Sequence, residues 1–240
     1  MQAVILAAGR GKRLAPLTDK TPKPMVKLLG QPLIAYALDA LPSKVEEIII
    51  VVGYKGAQIR AFVGASWRGI PVRYVEQKKP AGTYDALLRA KKLLRGRFIV
   101  AAADVLYSKK DMARLASHPL SILVRRDSAA ALKAGLCIVK NGRLVELLED
   151  VYARGNTLRN CAAYCLDKRI FAQQVLYGPS GESWLSPMVG TLGSDAPVYA
   201  VVSTFHATVS RPADVALCEK KINAVPSMRP RTPLSSQGPL

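Results

Sequence analysis

Short, unbroken apolar runs recur along this chain, separated by stretches in which apolar residues return every three or four positions. The runs QAVILAA (2–8), EEIIIVVGY (46–54), VRYVEQ (72–77), RFIVAAADV (97–105) and SILVRR (121–126) predict strands. They alternate little between apolar and polar, as strands do when both faces of a sheet are covered. PLIAYALDAL (32–41), GAQIRAFVG (56–64), TYDALLRAKKLL (83–94) and KDMARLAS (110–117) carry the helical period and predict the helices between them. This succession predicts an α/β fold with a mixed, mostly parallel central sheet flanked by helices. After residue 127 the rhythm changes. LCIVKNGRLVELLED (136–150) reads as a hairpin turning at Asn141-Gly142. NCAAYCLD (160–167) and PVYAVVST (197–204) predict further strands, and ADVALCEKKINAV (213–225) a closing amphipathic helix. Residues 1–225 therefore read as a single domain with halves of about 1–126 and 127–225. PSMRPRTPLSSQGPL (226–240), rich in Pro and Ser, predicts a poorly ordered tail.

Composition narrows the picture. At 240 residues the chain is long enough to bury one full-sized core. No run approaches the ~18–20 uninterrupted apolar residues of a membrane span. MQAVILAAGR reads as a first strand rather than a signal peptide, so a cytoplasmic, soluble protein is expected. Cys137, Cys161, Cys165 and Cys218 form no CxxC pair, and His118 and His206 stand alone, which excludes zinc-ligand spacing and leaves buried free thiols. The net charge of +18 raises nucleic acid as a ligand. Against it, the basic residues are dispersed, aromatic residues are few, and no base-stacking segment or helix-turn-helix spacing is present.

The most informative stretch is VILAAGRGKRLAPLTDKTPKPM, residues 4–25. A buried strand runs into a basic loop, and in open α/β sheets ligands sit at the carboxyl ends of strands. The loop is not a Walker loop, since Gly11-Lys12 is followed by Arg13. Nor is it a dinucleotide fingerprint, since position 14 is Leu14. Gly9 and Gly11 let the backbone, from Ala8 through Lys12, approach phosphates and turn N–H groups toward them. Arg13 can clamp phosphate oxygens in bidentate fashion, and Lys23, held between prolines, can neutralise a phosphate under attack. Two other segments could join them. EQKKPAGTYDALLRA (76–90) offers Gln77, whose amide both donates and accepts, and Gly82-Thr83 opening a helix, which by itself is also an ordinary cap. IVAAADVLYS (99–108) delivers Asp104 at a strand end, where a Mg²⁺ ligand or a simple turn aspartate would stand.

The order Gly9-Arg10-Gly11-Lys12-Arg13-Leu14-Ala15-Pro16-Leu17-Thr18 followed by Thr21-Pro22-Lys23-Pro24-Met25 resembles the signature of the sugar-1-phosphate nucleotidylyltransferases, the NDP-sugar pyrophosphorylases. The resemblance implies a Rossmann-like nucleotide-diphospho-sugar transferase fold. It also implies Mg²⁺-dependent transfer from a nucleoside triphosphate to a sugar 1-phosphate, a step of NDP-sugar biosynthesis. Within it, Arg13 and Lys23 are catalytic, and Ala8, Gly9, Gly11, Lys12, Gln77, Gly82 and Thr83 bind the nucleotide. Gln77 and Gly82 lean the base toward UTP or dTTP, Asp104 binds the metal, and Glu149 and Asn160 meet the acceptor. The match is strong over 2–107 and fades beyond. Gln31, Asp150 and Thr208 stand where the family has Lys, Lys and a second metal aspartate, with Asp214 as a distant substitute. Arg154, Arg159 or Lys168 could cover the missing lysine. These gaps keep two alternatives open: a nucleotide-binding regulatory subunit without chemistry, and a transferase acting on a polyol or inositol phosphate. A homo-oligomer is compatible with either, and the oligomeric state is open.

Overall fold

The computed structural model describes residues 1–127, 132–153 and 155–228. Arg154 and most of the expected tail, 229–240, lie outside the described residues. The first half runs β1 (Gln2–Ala7), β2 (Lys27–Leu28), β3 (Gln31–Pro32), α1 (Leu33–Asp39), β4 (Glu47–Val52) and α2 (Gly56–Val63). It continues with β5 (Ser66–Trp67), β6 (Ile70–Glu76), α3 (Thr83–Ala90), β7 (Phe98–Ala102), β8 (Val105–Tyr107), α4 (Lys109–Ser117) and β9 (Ser121–Asp127). The second half holds β10 (Leu132–Lys140), β11 (Arg143–Ala153), β12 (Thr157–Leu166), α5 (Leu185–Asp195), β13 (Tyr199–Val202), β14 (His206–Thr208) and α6 (Asp214–Ala224).

One large sheet, in the order β10-β11-β13-β9-β12-β7-β1-β4-β6-β5, forms the spine of the fold. From β7 through β1 and β4 to β6 the strands are parallel. Beyond β7 the pairing is largely antiparallel, with only β13 parallel to β9. Strand β10 pairs with both β11 and β12, which curls this half into a small barrel-like ring. The expected mostly parallel sheet therefore describes one half of the molecule and not the other. The reason is local: a tight turn such as Asn141-Gly142, both residues at positive φ, can only return its strand antiparallel.

Both faces of the parallel half are covered, which explains its unbroken apolar runs. Along β1, Ala3, Ile5 and Ala7 enter the core under α1, α2 and α4, while Val4 enters the core under α3 and α5. A third cluster gathers Leu14, Leu28, Leu33, Leu106, Val209, Cys218 and Ile222 beneath the basic loop. Leu14 is the loop's anchor, fully buried between exposed Arg13 and Ala15. The four cysteines are buried free thiols. Among the described residues no helix is long and apolar enough to cross a membrane.

Helix α5 has no clear periodic signal in the sequence, because LSPMVGTLGSD contains a proline and two glycines. Those glycines are where it lies closest to the sheet. A Cβ on Gly190 would stand 3.1 Å from the Leu147 nitrogen, and one on Gly193 would stand 3.1 Å from the Leu144 oxygen. Burial of Leu185, Met188, Val189 and Leu192 outweighs the weak intrinsic propensity.

Candidate active site

A cleft of about 1060 Å³ opens at the carboxyl ends of the parallel strands. The twelve residues that the resemblance gives catalytic, nucleotide, metal or acceptor roles line it: Ala8, Gly9, Gly11, Lys12, Arg13, Lys23, Gln77, Gly82, Thr83, Asp104, Glu149 and Asn160. Parallel strands deliver their loops to one edge, so residues distant in sequence converge there.

The basic loop is tied from behind and open in front. Thr18 Oγ1 donates to the Gly11 oxygen at 2.9 Å. From the neighbouring strand end, Tyr54 Oη and Lys55 Nζ donate to the Asp19 oxygen at 2.9 and 2.8 Å. Arg10 lies over the Tyr54 ring, its guanidinium carbon 5.1 Å from the centroid. Gly11, at φ 73, packs on Lys23: a Cβ there would stand 2.7 Å from the Lys23 Cβ. Gly9 faces open space, with nothing within 4 Å of a Cβ position. One glycine therefore sets the loop's shape, and the other leaves room for a ligand. Lys12 and Arg13 are exposed at the cleft wall.

Lys23 and Asp104 form an ion pair inside the cleft, the two side chains 14% and 29% exposed. Opposite charges this far from solvent attract more strongly than a surface pair. Asp104 is the carboxylate of the β7 end. Among the described residues there is no group of three His, Cys, Asp or Glu side chains able to hold a metal. The position expected for a second metal aspartate is close by, since Thr208 Oγ1 lies 3.4 Å from the Asp104 backbone oxygen. Asp214 does not substitute for it, because its carboxylate accepts from the Ser210 and Arg211 nitrogens at 2.8 Å each and closes a turn. A Mg²⁺ ion carried by a triphosphate fits, since such an ion keeps several waters and uses one or two carboxylates.

Gln77 is buried and its amide orientation is determined by its partners. Nε2 donates to the Gly82 oxygen at 3.0 Å and to Asp85 Oδ2 at 2.9 Å, both acceptors only. The amide oxygen is therefore the group presented to a ligand. Asp85 is held below its ordinary value despite burial, by hydrogen bonds from Arg89 and Gln77. Gly82, at φ 100, is required by packing: a Cβ would stand 2.1 Å from the Ser183 oxygen. Thr83 Oγ1 accepts from the Leu185 nitrogen at 2.9 Å. Gly82 and Thr83 thus dock the segment 183–185 onto the start of α3, a contact with no sequence signal.

The opposite end of the cleft is built on β10, β11 and β12. A break in register between Asn160 and Tyr164, with Ala162 at φ 54, re-aims this part of β12. Asn160 Nδ2 donates to Tyr164 Oη at 2.7 Å, while its Oδ1 accepts from the Ala162 nitrogen at 2.9 Å. Burial pushes the Glu149 carboxyl above its ordinary value, the Asp150 charge adds to this, and hydrogen bonds from Ser186 and Asn160 oppose it. Gly135 makes room for Glu149: a Cβ there would stand 2.7 Å from Oε1. Glu182, Trp184 and Ser186 complete the lining and went unread in the sequence. Asp150 is exposed, and Arg159 is 1% exposed with Nη1 donating to the Val151 oxygen at 3.3 Å. Neither Arg159 nor Lys168 lines the cleft, so neither covers the missing lysine.

Residues 2–132 match the family described as nucleotidyl transferase. The UTP–glucose-1-phosphate uridylyltransferase AglF of Haloferax volcanii is 30% identical over 202 residues, covering 80% of this chain and 83% of that protein. The bifunctional protein GlmU of Methanocaldococcus jannaschii is 26% identical over 219 residues, covering 90% of this chain and 52% of that protein. The chain spans about half the length of this relative and of its Methanococcus vannielii counterpart, or less of others. A UDP-glucose pyrophosphorylase complexed with UDP-glucose superposes with a TM-score of 0.77 at 20% identity, over 95% of this chain and 99% of that one. An inositol-1-phosphate CTP transferase from T. maritima superposes with a TM-score of 0.73 at 20% identity, over 93% and 97%. These two structures share the fold.

Proposed function

This chain belongs to the nucleotidyl transferase family, and we propose that it transfers the nucleotidyl group of a triphosphate to a sugar 1-phosphate, releasing pyrophosphate. The observation that carries this reading is the meeting of Lys23, Asp104 and Gln77 in one cleft beside the basic loop. We assign the reaction to a single domain over 1–225, its Rossmann-like parallel half binding the nucleotide and its second half the acceptor. The name of the Haloferax relative supports both the sugar 1-phosphate and the uridine nucleotide.

In this mechanism an oxygen of the acceptor phosphate attacks the α-phosphorus. The new P–O bond forms as the α–β bridge breaks, and the electron pair leaves with pyrophosphate. Positioning and charge neutralisation supply most of the rate. The N–H groups around Gly9 and Gly11, with Lys12 and Arg13, hold the β- and γ-phosphates and the leaving group. Lys23 turns from Asp104 to the α-phosphate. Asp104 would then hold Mg²⁺ with the triphosphate oxygens, an ion that spreads the charge developing on the phosphates. The Gln77 oxygen accepts from the N3–H of uracil or thymine. Cytosine offers a lone pair at that position and is disfavoured.

The test is pyrophosphate release with Mg²⁺ across five nucleoside triphosphates and a panel of sugar and polyol phosphates. Release with UTP or dTTP and a sugar 1-phosphate, abolished by Asp104→Asn, supports the reading. Nucleotide binding without release from any pair would instead support the regulatory subunit, which the single carboxylate at the phosphate end favours. Release with an inositol or polyol phosphate alone would move the acceptor outside the sugars.

A further inference from the structure

The lining of the cleft is segregated by charge. The side built on the loops after β1 and β6 carries Arg10, Lys12, Arg13, Lys23 and Lys78. The side built on β10, β11, β12 and residues 182–186 carries Glu149, Glu182, Asn160, Tyr164, Ser186 and Trp184. Among the described residues of that side, neither Lys nor Arg lines the cleft. The chain has 35 Lys and Arg against 17 Asp and Glu, so two carboxylates with no described cation beside them at this end are not what composition alone would give.

Glu149 occupies a built position. Gly135 leaves the space its Oε1 fills, and its hydrogen bonds come from the neutral Ser186 and Asn160 side chains and the Asp150 backbone. Among the described residues its donors are neutral, and a half-buried carboxylate held by neutral donors keeps part of its desolvation penalty. A ligand hydroxyl adds one more neutral donor, whereas a ligand ammonium supplies an opposite charge and a stronger bond. Trp184 adds an indole, with Nε1 3.4 Å from Glu182 Oε2, and aromatic faces also attract cations.

Building on the nucleotidyl-transfer reading, we infer that this end selects an acceptor phosphate monoester that carries a free ammonium group. The class is an amino sugar 1-phosphate or an amino-alcohol phosphate. Its phosphate lies toward the basic loop and its ammonium toward Glu149 and Glu182. The same molecule thereby matches both ends of the cleft.

The test is equilibrium binding to the full chain, at pH 7 with Mg²⁺, saturated with a UTP analogue that cannot be cleaved between its α- and β-phosphates. The acceptors are glucosamine 1-phosphate, N-acetylglucosamine 1-phosphate, glucose 1-phosphate and phosphoethanolamine. An amine-bearing acceptor should bind about tenfold or more tightly than the neutral sugars, the scale of one charge-assisted contact. Glucosamine 1-phosphate against phosphoethanolamine separates the two sources. Glu149→Gln should shrink the preference to about twofold, since its shape is kept and its charge removed. Equal or tighter binding of the neutral sugars, no acceptor binding, or an unchanged preference in Glu149→Gln would overturn the inference. Saturation by the nucleotide is read first, so a chain that binds no nucleotide fails the underlying reading. Turnover with neutral acceptors alone fails only this one.

Discussion

Two glycines divide the work of shaping the cleft from the work of holding it together. At Gly82, φ 100 and a Cβ position 2.1 Å from the Ser183 oxygen make any side chain untenable. Gly82→Ala should lose roughly 3 kcal/mol or more, read as a lower urea midpoint, from backbone strain and overlap together. Gly135 has no such backbone constraint, and its Cβ would meet the movable end of Glu149 at 2.7 Å. Gly135→Ala should therefore raise the KM for the acceptor about tenfold with little change in the urea midpoint, by displacing the carboxylate from its acceptor contacts. At this scale the sequence displayed many of the residues that line the cleft but not how their side chains are held there. Gln77 was legible as an amide that could both donate and accept. That both its hydrogens are committed to Gly82 and Asp85 depends on a turn no local pattern encodes. Glu182 and Trp184 were illegible because they lie in an irregular segment, where neither period applies.

At the scale of elements, the parallel half was legible because its main strands are unbroken apolar runs and its helices between them carry the helical period. Helix α5 was hidden because the glycines that let it approach β11 also read as helix breakers. The tie between α4 and the segment 203–205 was hidden for another reason: it is a long-range contact of one side chain. Asp111 is fully buried and accepts from the Thr204 nitrogen at 2.7 Å and from Thr204 Oγ1 at 3.0 Å. Despite burial, these bonds and those from Ser108 and Phe205 hold it below its ordinary value. Asp111→Ala should destabilise the protein by about 2–4 kcal/mol, because buried donors lose their acceptor. Faster amide exchange at Thr204 and Phe205 is the readout, and unchanged protection there would refute the tie.

Over the whole molecule, charge and topology act together. The antiparallel, ring-like second half was only partly legible, since the Asn141-Gly142 turn announces one hairpin but not the closure of β10 on β12. One consequence of this packing is acid sensitivity. His206, on β14, is lowered from its ordinary 6.5 to about 4 by burial and by the charges of Arg125 and Lys221, with Asp104 and Asp127 opposing. The unfolded chain therefore takes up this proton before the folded one. Stability should fall as pH drops from about 6.5 toward 4, by about 1–2 kcal/mol for a half-buried group. His206→Gln should flatten that stretch of the stability profile measured by urea unfolding. An unaltered slope would show that His206 is solvated in the folded state.

The central claim is that Lys23 leaves Asp104 to act on the α-phosphate during transfer. The most direct measurement compares Lys23→Ala with the unmodified chain in both single-turnover transfer and nucleotide affinity. The account predicts that transfer falls about a hundredfold or more while nucleotide affinity changes by less than about tenfold, as for loss of a group acting mainly on the transition state. Equal losses in both, or transfer that survives, would contradict it and leave Lys23 as the counterion of Asp104.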